Sequence, residues 1–334
     1  MSKNILIIFA VALITVAVTA PAGYFYGLQK GKQQTESANK KEAFPEKPPP
    51  GEGPNLEELQ SHTAYLASST DGKTWTKGAL VQKQASVPDL IQLSKGVGGF
   101  KKGDLIVYFV DFSTLTRQPG SEQLGLVSSS DGGKTWSKKV SVKISNKPNK
   151  GAAVDPSVVQ LADGRLRLYF FGSEVTEGDP AKVKGEHKVY SALSPDGISF
   201  ETETDTRLAA ERLTDPEVIF YKNAWYMYWS GGETTSLAVS SDGLRFTEKE
   251  IVGGNVGGVP GALATGDGGV RLFGCSMGGI ATAISSEGIN FKPEQTGVLG
   301  GCDPAPIKLA SGSYLMVFKE VEKPSQKLPP SPQR

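Results

Sequence analysis

The segment TAYLASSTDGKTWTKG, Thr63–Gly78, decides how the rest of the chain is read. It holds an apolar run, an Asp71-Gly72 turn, and Trp75, which opens the next β-rich run. The turn chemistry is local: an Asp side chain accepts backbone N–H groups and glycine accepts φ > 0. The same design recurs in SSSDGGKTW to Trp136, SPDGISF to Phe200, SSDGLRF to Phe246 and SSEGINF to Phe291. Five turns of one design mark a repeat protein.

Two further elements accompany the turns. Five apolar segments open on Asp-Pro or a variant: VPDLIQL (Asp89), VDPSVVQL (Asp155), TDPEVIFY (Asp215), VPGALA (Gly261) and CDPAPIKL (Asp303). Each is followed by a second run, DLIVYFV, LRLYFFG, AWYMYWS, VRLFGC or YLMVFK. Short apolar runs bounded by Gly, Asp and Ser read as strands. A third run leads into each Asp-Gly turn, and a fourth short strand starts at the aromatic.

The order is therefore A, B, C, turn, D, in four complete copies from Val87 to about Thr296. A fifth copy starts at Cys302 and stops after strand B, near Lys319. The orphan C–turn–D unit at Thr63–Gly78 supplies its missing half. The expected fold is all-β, a five-bladed β-propeller closed by N-terminal strands that join the last blade, over residues 61–320. A sandwich of irregular hairpins is the alternative.

The ends differ from this domain. Lys3 precedes an apolar run, Ile5–Leu28, long enough for the roughly 20 residues a membrane crossing needs. Residues 1–28 are expected to be a signal-anchor transmembrane helix that holds the propeller outside the cytoplasm at the cell membrane. Cleavage after Val18-Thr19-Ala20, giving a secreted protein, is the alternative, disfavoured by Pro21. Residues 29–60, with AFPEKPPPGEGP, read as a disordered spacer, and residues 321–334 as a disordered tail.

The formal net charge of +1 leaves no electrostatic footprint for nucleic acid. With two Cys and two His in all, the composition argues against zinc centres built from those residues. No cofactor is specified. A calcium ion in the channel would meet many oxygens, yet no ligand spacing selects one. Cys275 ends strand B of the fourth blade and Cys302 starts strand A of the fifth. They pair as a disulfide in an oxidising compartment or stay a buried pair of thiols. His62 precedes the repeats and reads as incidental, and His187 as solvated. The Gly253–Gly261 stretch reads as a place of close backbone approach. Nothing in the pattern specifies an assembly.

Function is expected where the A strands begin. That geometry gathers Asp89, Asp155, Asp215 and Asp303 at one mouth, with Gly261 at the fourth blade. The B strands end on the same face and bring Asp111, Glu174 and Glu233, with Trp229 near the rim. Clustered carboxylates separate in pKa, so one acid stays protonated beside an ionised neighbour. Glycoside hydrolysis needs such a pair. The opposing reading makes each Asp a turn-capping residue of the repeat.

On this pattern the chain resembles the five-bladed propeller glycosidases: arabinanases and xylosidases, with invertase and levansucrase relatives. The resemblance covers Thr63 to about Lys319. It implies a base or nucleophile at Asp89, a pKa-modulating role for Asp155, and an acid at Asp215, where that family has Glu. Glu217, two residues on and on the same strand face, is the other candidate for the acid. The turns resemble the Asp-boxes of sialidases, S-x-D-x-G-x-T-W, which Ser129–Trp136 matches. A sialidase needs an arginine cluster, and no arginine begins an A strand here, so the boxes read as fold. The expected partner is a carbohydrate or glycoconjugate. The expected function is a membrane-tethered glycoside hydrolase. The alternatives are a non-catalytic propeller that binds glycan or protein, a scaffold of an envelope assembly, and a sialidase-like protein.

Overall fold

We describe the protein from a computed structural model covering residues 56–116, 121–148, 153–172, 186–232, 234–251, 253 and 255–322. Among these residues five sheets, antiparallel except for one outer strand pair, carry the fold. The innermost strands of blades 1 to 5 are Ala85–Gln92, Ala153–Gln160, Thr214–Tyr221, Gly258–Ala264 and Cys302–Lys308. Second strands follow at Leu105–Asp111, Leu166–Gly172, Ala224–Ser230, Val270–Ser276 and Tyr314–Val321. The blade 5 sheet takes its outer strands from the other end of the domain. His62–Ser69 runs antiparallel to Tyr314–Val321, with Leu66 opposite Val317, and Thr76–Lys83 pairs outside it. Blade 2 is widened by Lys143–Ser145, parallel to Ser199–Thr202, and by Leu208–Ala210.

One irregularity is common to all five blades. Between Ser86 and Asp89, Val154 and Ser157, Thr214 and Glu217, Gly258 and Gly261, and Cys302 and Ala305, the inner strand advances three residues while its partner advances two. This is a β-bulge with one extra residue. Its cause is the X-Pro pair inside each interval, because proline has no N–H to give the ladder. The residue before each proline has positive φ: Val87 43°, Asp155 53°, Asp215 49°, Val259 50° and Asp303 53°. Aspartate tolerates this region better than valine, so Val87 and Val259 hold strain of order 1–3 kcal/mol each.

The five core clusters lie between blades. The Asp-boxes latch these junctions. In each, a serine hydroxyl accepts turn N–H groups, as Ser129 does from Gly133 at 2.9 Å, and Asp131 accepts from Lys134 and Thr135 at 3.0 Å each. The box aromatic then meets an aromatic of the previous blade's second strand edge-on. Phe200 meets Tyr108, Phe246 meets Tyr169, Phe291 meets Tyr228, and Trp75 meets Phe273. The three tyrosines each donate their hydroxyl to a box glycine carbonyl, at 2.8 Å, on Gly197, Gly243 and Gly288.

Two expectations about the ends meet the structure differently. Leu56–Gln60, read above as spacer, is one helical turn. Leu56 and Leu59 pack on the core between blades 1 and 2, so apolar burial draws this turn into the domain. The segment expected to cross the membrane, residues 1–28, lies outside the described residues. Among those described, no helix is long and apolar enough to cross a membrane.

Candidate functional site

The inner strands all begin on one face, called the front here. The bulges sort their first residues into two levels. The outer level is Val87, Asp155, Asp215, Val259 and Asp303. Two residues further in stand Asp89, Ser157, Glu217, Gly261 and Ala305. Asp89 is therefore the counterpart of Ser157 and Glu217, and not of Asp155 as the motif alignment implied. The proline sets the level, and Asp89 follows its proline where Asp155 and Asp215 precede theirs.

A bulge leaves N–H groups outside the ladder, and buried N–H groups need acceptors. Side chains of the preceding blade supply them. At the outer level the Asp215 N–H donates to Asp155 at 3.3 Å, and Val87 N–H to Asp303 at 3.0 Å. Val259 N–H donates to the Ser230 hydroxyl at 2.5 Å, and Asp303 N–H to the Cys275 sulfur at 3.2 Å. At the inner level Val158 N–H donates to Asp89 at 2.6 Å, Val218 N–H to Ser157 at 2.9 Å, and Ala262 N–H to Glu217 at 3.2 Å. The fourth blade's Gly261 offers no acceptor, and its opposite number is Pro306, which has no N–H. A Cβ on Gly261 would strike the Pro304 carbonyl, so the glycine is required by close approach. Most of the carboxylates thus staple blades together.

Asp215 is the exception. Its carboxylate accepts from the Thr214 hydroxyl at 2.8 Å and from Ser230, and from no neighbouring blade's N–H among the described residues. Asp155, Asp215 and Asp303 border a narrow front space of about 20 Å³, closed round by the five prolines. Burial first, opposed by the Thr214 hydrogen bond and aided by the Asp303 charge, lifts the Asp215 carboxyl to about 6. Burial, then the Asp215 charge, holds Asp155 well above the carboxylate range. Asp303 is 3% exposed and paired with Lys319 at 2.9 Å.

The remaining candidates fall elsewhere. Asp89 is lifted to about 7 and Glu217 well above its usual value, both chiefly by burial. Both border a cavity behind the ring, and Glu217 borders the front space as well. Asp111 is held by Lys139 at 2.6 Å and takes the Ser113 N–H at 3.0 Å, so it is spent in an ion pair. Trp229, expected at the rim, is 4% exposed in the core between blades 2 and 3, with Leu213 and Val218. Its strand alternation turns it sideways, away from the mouth. Glu174 and Glu233 lie outside the described residues. Cys275 and Cys302 are joined by a disulfide, with Cα atoms 5.0 Å apart, so neither is a thiolate ligand beside Asp303. Among the described residues, no arginine borders the front space or the cavity. Arg167 and Arg271 are instead bound to Glu203 and Glu294.

Reading the motifs alone missed His62. It opens the third strand of blade 5, so closure of the ring carries it to the front. Its Nδ1 lies 3.0 Å from the Ser86 hydroxyl, and burial and Lys319 hold it down to about 4, a neutral imidazole.

No known protein-family profile matches the sequence. A stretch of 188 residues, 55% of the chain, is 26% identical to a sialidase of Bacteroides fragilis (strain YCH46). The chain spans only 33% of that sialidase. Among solved structures it is similar to an α-L-arabinanase of Penicillium chrysogenum complexed with arabinobiose. The TM-score is 0.51 at 19% identity, over 78% of this chain and 85% of that one. A family 43 glycoside hydrolase of Xanthomonas citri complexed with xylotriose gives 0.52 at 13% identity, over 70% of this chain and 81% of that one. The fold that the chain shares with these two glycoside hydrolases is the five-bladed propeller.

Proposed function

We propose that the protein is a glycoside hydrolase of the cell exterior, acting on a carbohydrate or glycoconjugate seated over the front ring. Asp155 is the protonated acid and Asp215 the ionised base or nucleophile. The observation that carries the reading is Asp215. It is the ring carboxylate not engaged with a neighbouring blade's backbone, and its pKa of about 6 suits proton transfer near neutral pH. Asp155, raised by burial and by that same charge, is the complementary acid. These roles differ from those the resemblance implied, a base at Asp89, a modulator at Asp155 and an acid at Asp215, because Asp89 lies a level deeper. Asp303 with Lys319 completes the field that separates the two acids. Tethering through residues 1–28 belongs to the same proposal, and the Cys275–Cys302 disulfide supports an oxidising compartment.

The test is hydrolysis of a panel of aryl glycosides, arabinosides and xylosides first, across pH 4 to 9. Wild type should show an acid limb near pH 6. Asp215→Asn and Asp155→Asn should each lose at least about 100-fold in kcat, the range of general acid–base catalysis. Activity unchanged in either variant would refute the assignment.

A second reading, a non-catalytic glycan-binding propeller, is favoured by Val87. The first blade carries a valine where Asp155 and Asp215 stand in the next two. No turnover of any glycoside, with glycan binding retained and lost in Asp215→Asn, would select it.

A further inference from the structure

Behind the ring, the inner strands diverge into a cavity of about 680 Å³ that opens on the face carrying the Asp-boxes. This volume lies within the range of small-molecule sites, roughly 300–1,000 Å³. Apart from Gln92, Ser94, Ser157 and Gln160, its walls are mostly apolar, with Ile91, Val159, Ile219 and Ile307, one from each of four blades. A sugar would leave its hydroxyls unpaired against them. At the mouth, Phe220 and Trp225 meet with ring centroids 4.9 Å apart, and Phe220 is 55% exposed. The floor is different. Glu217 borders both this cavity and the front space, which puts it at the inner end, and Asp89 borders the cavity at the same level.

We propose that this cavity is a second ligand site, which takes a small molecule with a protonated amine at the Asp89–Glu217 floor and an aryl or alkyl body against the walls and the Phe220–Trp225 rim. The case is one of complementarity. Asp89 is 7% exposed and is held by the Val158 and Leu90 N–H groups. Among the described residues no Lys or Arg is paired with Asp89 or Glu217, and the lysines bordering the cavity, Lys102 and Lys308, are exposed. The groups that face Asp89 are Glu217 across the channel and the neutral Tyr108 on its own blade, whose hydroxyl is bound to Gly197. Burial without a counter-cation favours the protonated acid, so an ammonium entering the floor drives a proton off. A carboxylate ligand meets the same floor with the wrong sign. An alcohol of the same shape fills the walls but gains nothing from ionisation.

The experiment is calorimetric titration of the full chain with 3-phenylpropylamine, 3-phenylpropanol and 3-phenylpropionate at pH 6 and pH 8. An Asp89 carboxyl titrating at about 7 is about tenfold more ionised at the higher pH, while the amine stays charged. The amine should therefore bind at least tenfold tighter than the alcohol at pH 8, tighten about tenfold from pH 6 to 8, and release close to one proton at pH 6 and far less at pH 8. The alcohol should show no pH dependence, and the propionate should bind weakest. Equal binding of amine and alcohol, or an amine affinity flat with pH, overturns the proposal on wild type alone. Asp89→Asn, whose amide oxygen still accepts the Val158 N–H, should erase the amine preference and the proton release. Retention of both in a folded Asp89→Asn overturns the role of the floor. Asp155→Asn, at the other face, should leave amine binding within twofold.

Discussion

Replacing Asp215 with asparagine separates what this residue does for the fold from what it does for chemistry. In the folded protein its carboxyl is raised from 3.8 to about 6, with burial the largest cause. A raised acid favours the protonated form, so the folded state loses stability as pH rises from below 4 through 6. The ceiling of that loss, about two pKa units, is about 3 kcal/mol. The side chain is half-buried, and the hydrogen bonds from Thr214 and Ser230 survive in part on an amide oxygen. We therefore expect Asp215→Asn to gain about 1–2 kcal/mol above pH 6.5, or roughly 3–6 °C in Tm for a domain of this size. At pH 4 the gain should nearly vanish. His62 acts in the opposite sense: its folded pKa of about 4 costs stability as pH falls below 6.5, but it is common to both proteins and cancels. Thermal unfolding of both proteins from pH 4 to 8, at constant ionic strength, reads the difference curve. A stabler and inactive variant is the signature of a functional acid held at a cost to the fold. A difference curve flat with pH, or an Asn variant less stable at pH 8, would refute the reasoning and make Asp215 structural.

Other perturbations follow from the same contacts. The Cys275–Cys302 disulfide spans 27 residues, so Cys275→Ser should cost about 3.5 kcal/mol by loop-closure entropy, read as a shift in the urea midpoint and mimicked by reduction of wild type. Phe200→Ala should cost about 3–5 kcal/mol in urea unfolding, because it empties the latch against Tyr108 between blades 1 and 2. Lys319→Met leaves Asp303 buried without its cation and should cost about 3–5 kcal/mol, most of it recovered in the double variant with Asp303→Asn.

The blades were legible because their signals are local. Apolar runs, Asp-Gly turns and box aromatics each act over a few residues, and their repetition supplied the count. The level of each acid was not legible. VPD in blade 1 and VDP in blade 2 look interchangeable when aligned on aspartate, yet the bulge is built by the proline. Asp89 consequently sits where Ser157 and Glu217 sit. Trp229 was misplaced for a related reason. An aromatic at the end of a strand faces either the mouth or a neighbouring blade, and only the packing of Leu213 and Val218 around it decides. His62 was invisible because it reaches the front only when the ring closes between His62–Ser69 and Tyr314–Val321. The cavity behind the ring had no motif at all, since it is made by divergence of ordinary isoleucines and valines.

The central claim is that carbohydrate chemistry belongs to the front ring, at Asp155 and Asp215. It is tested most directly by a crystal structure of the protein soaked with the aryl glycoside that turns over best, or with arabino- and xylo-oligosaccharides if none does. The account predicts a sugar ring over the front face, with one glycosidic oxygen within hydrogen-bonding reach of Asp155 and the anomeric carbon facing Asp215. Sugar bound only in the cavity behind the ring, or over a front face where neither carboxyl reaches it, would contradict the account.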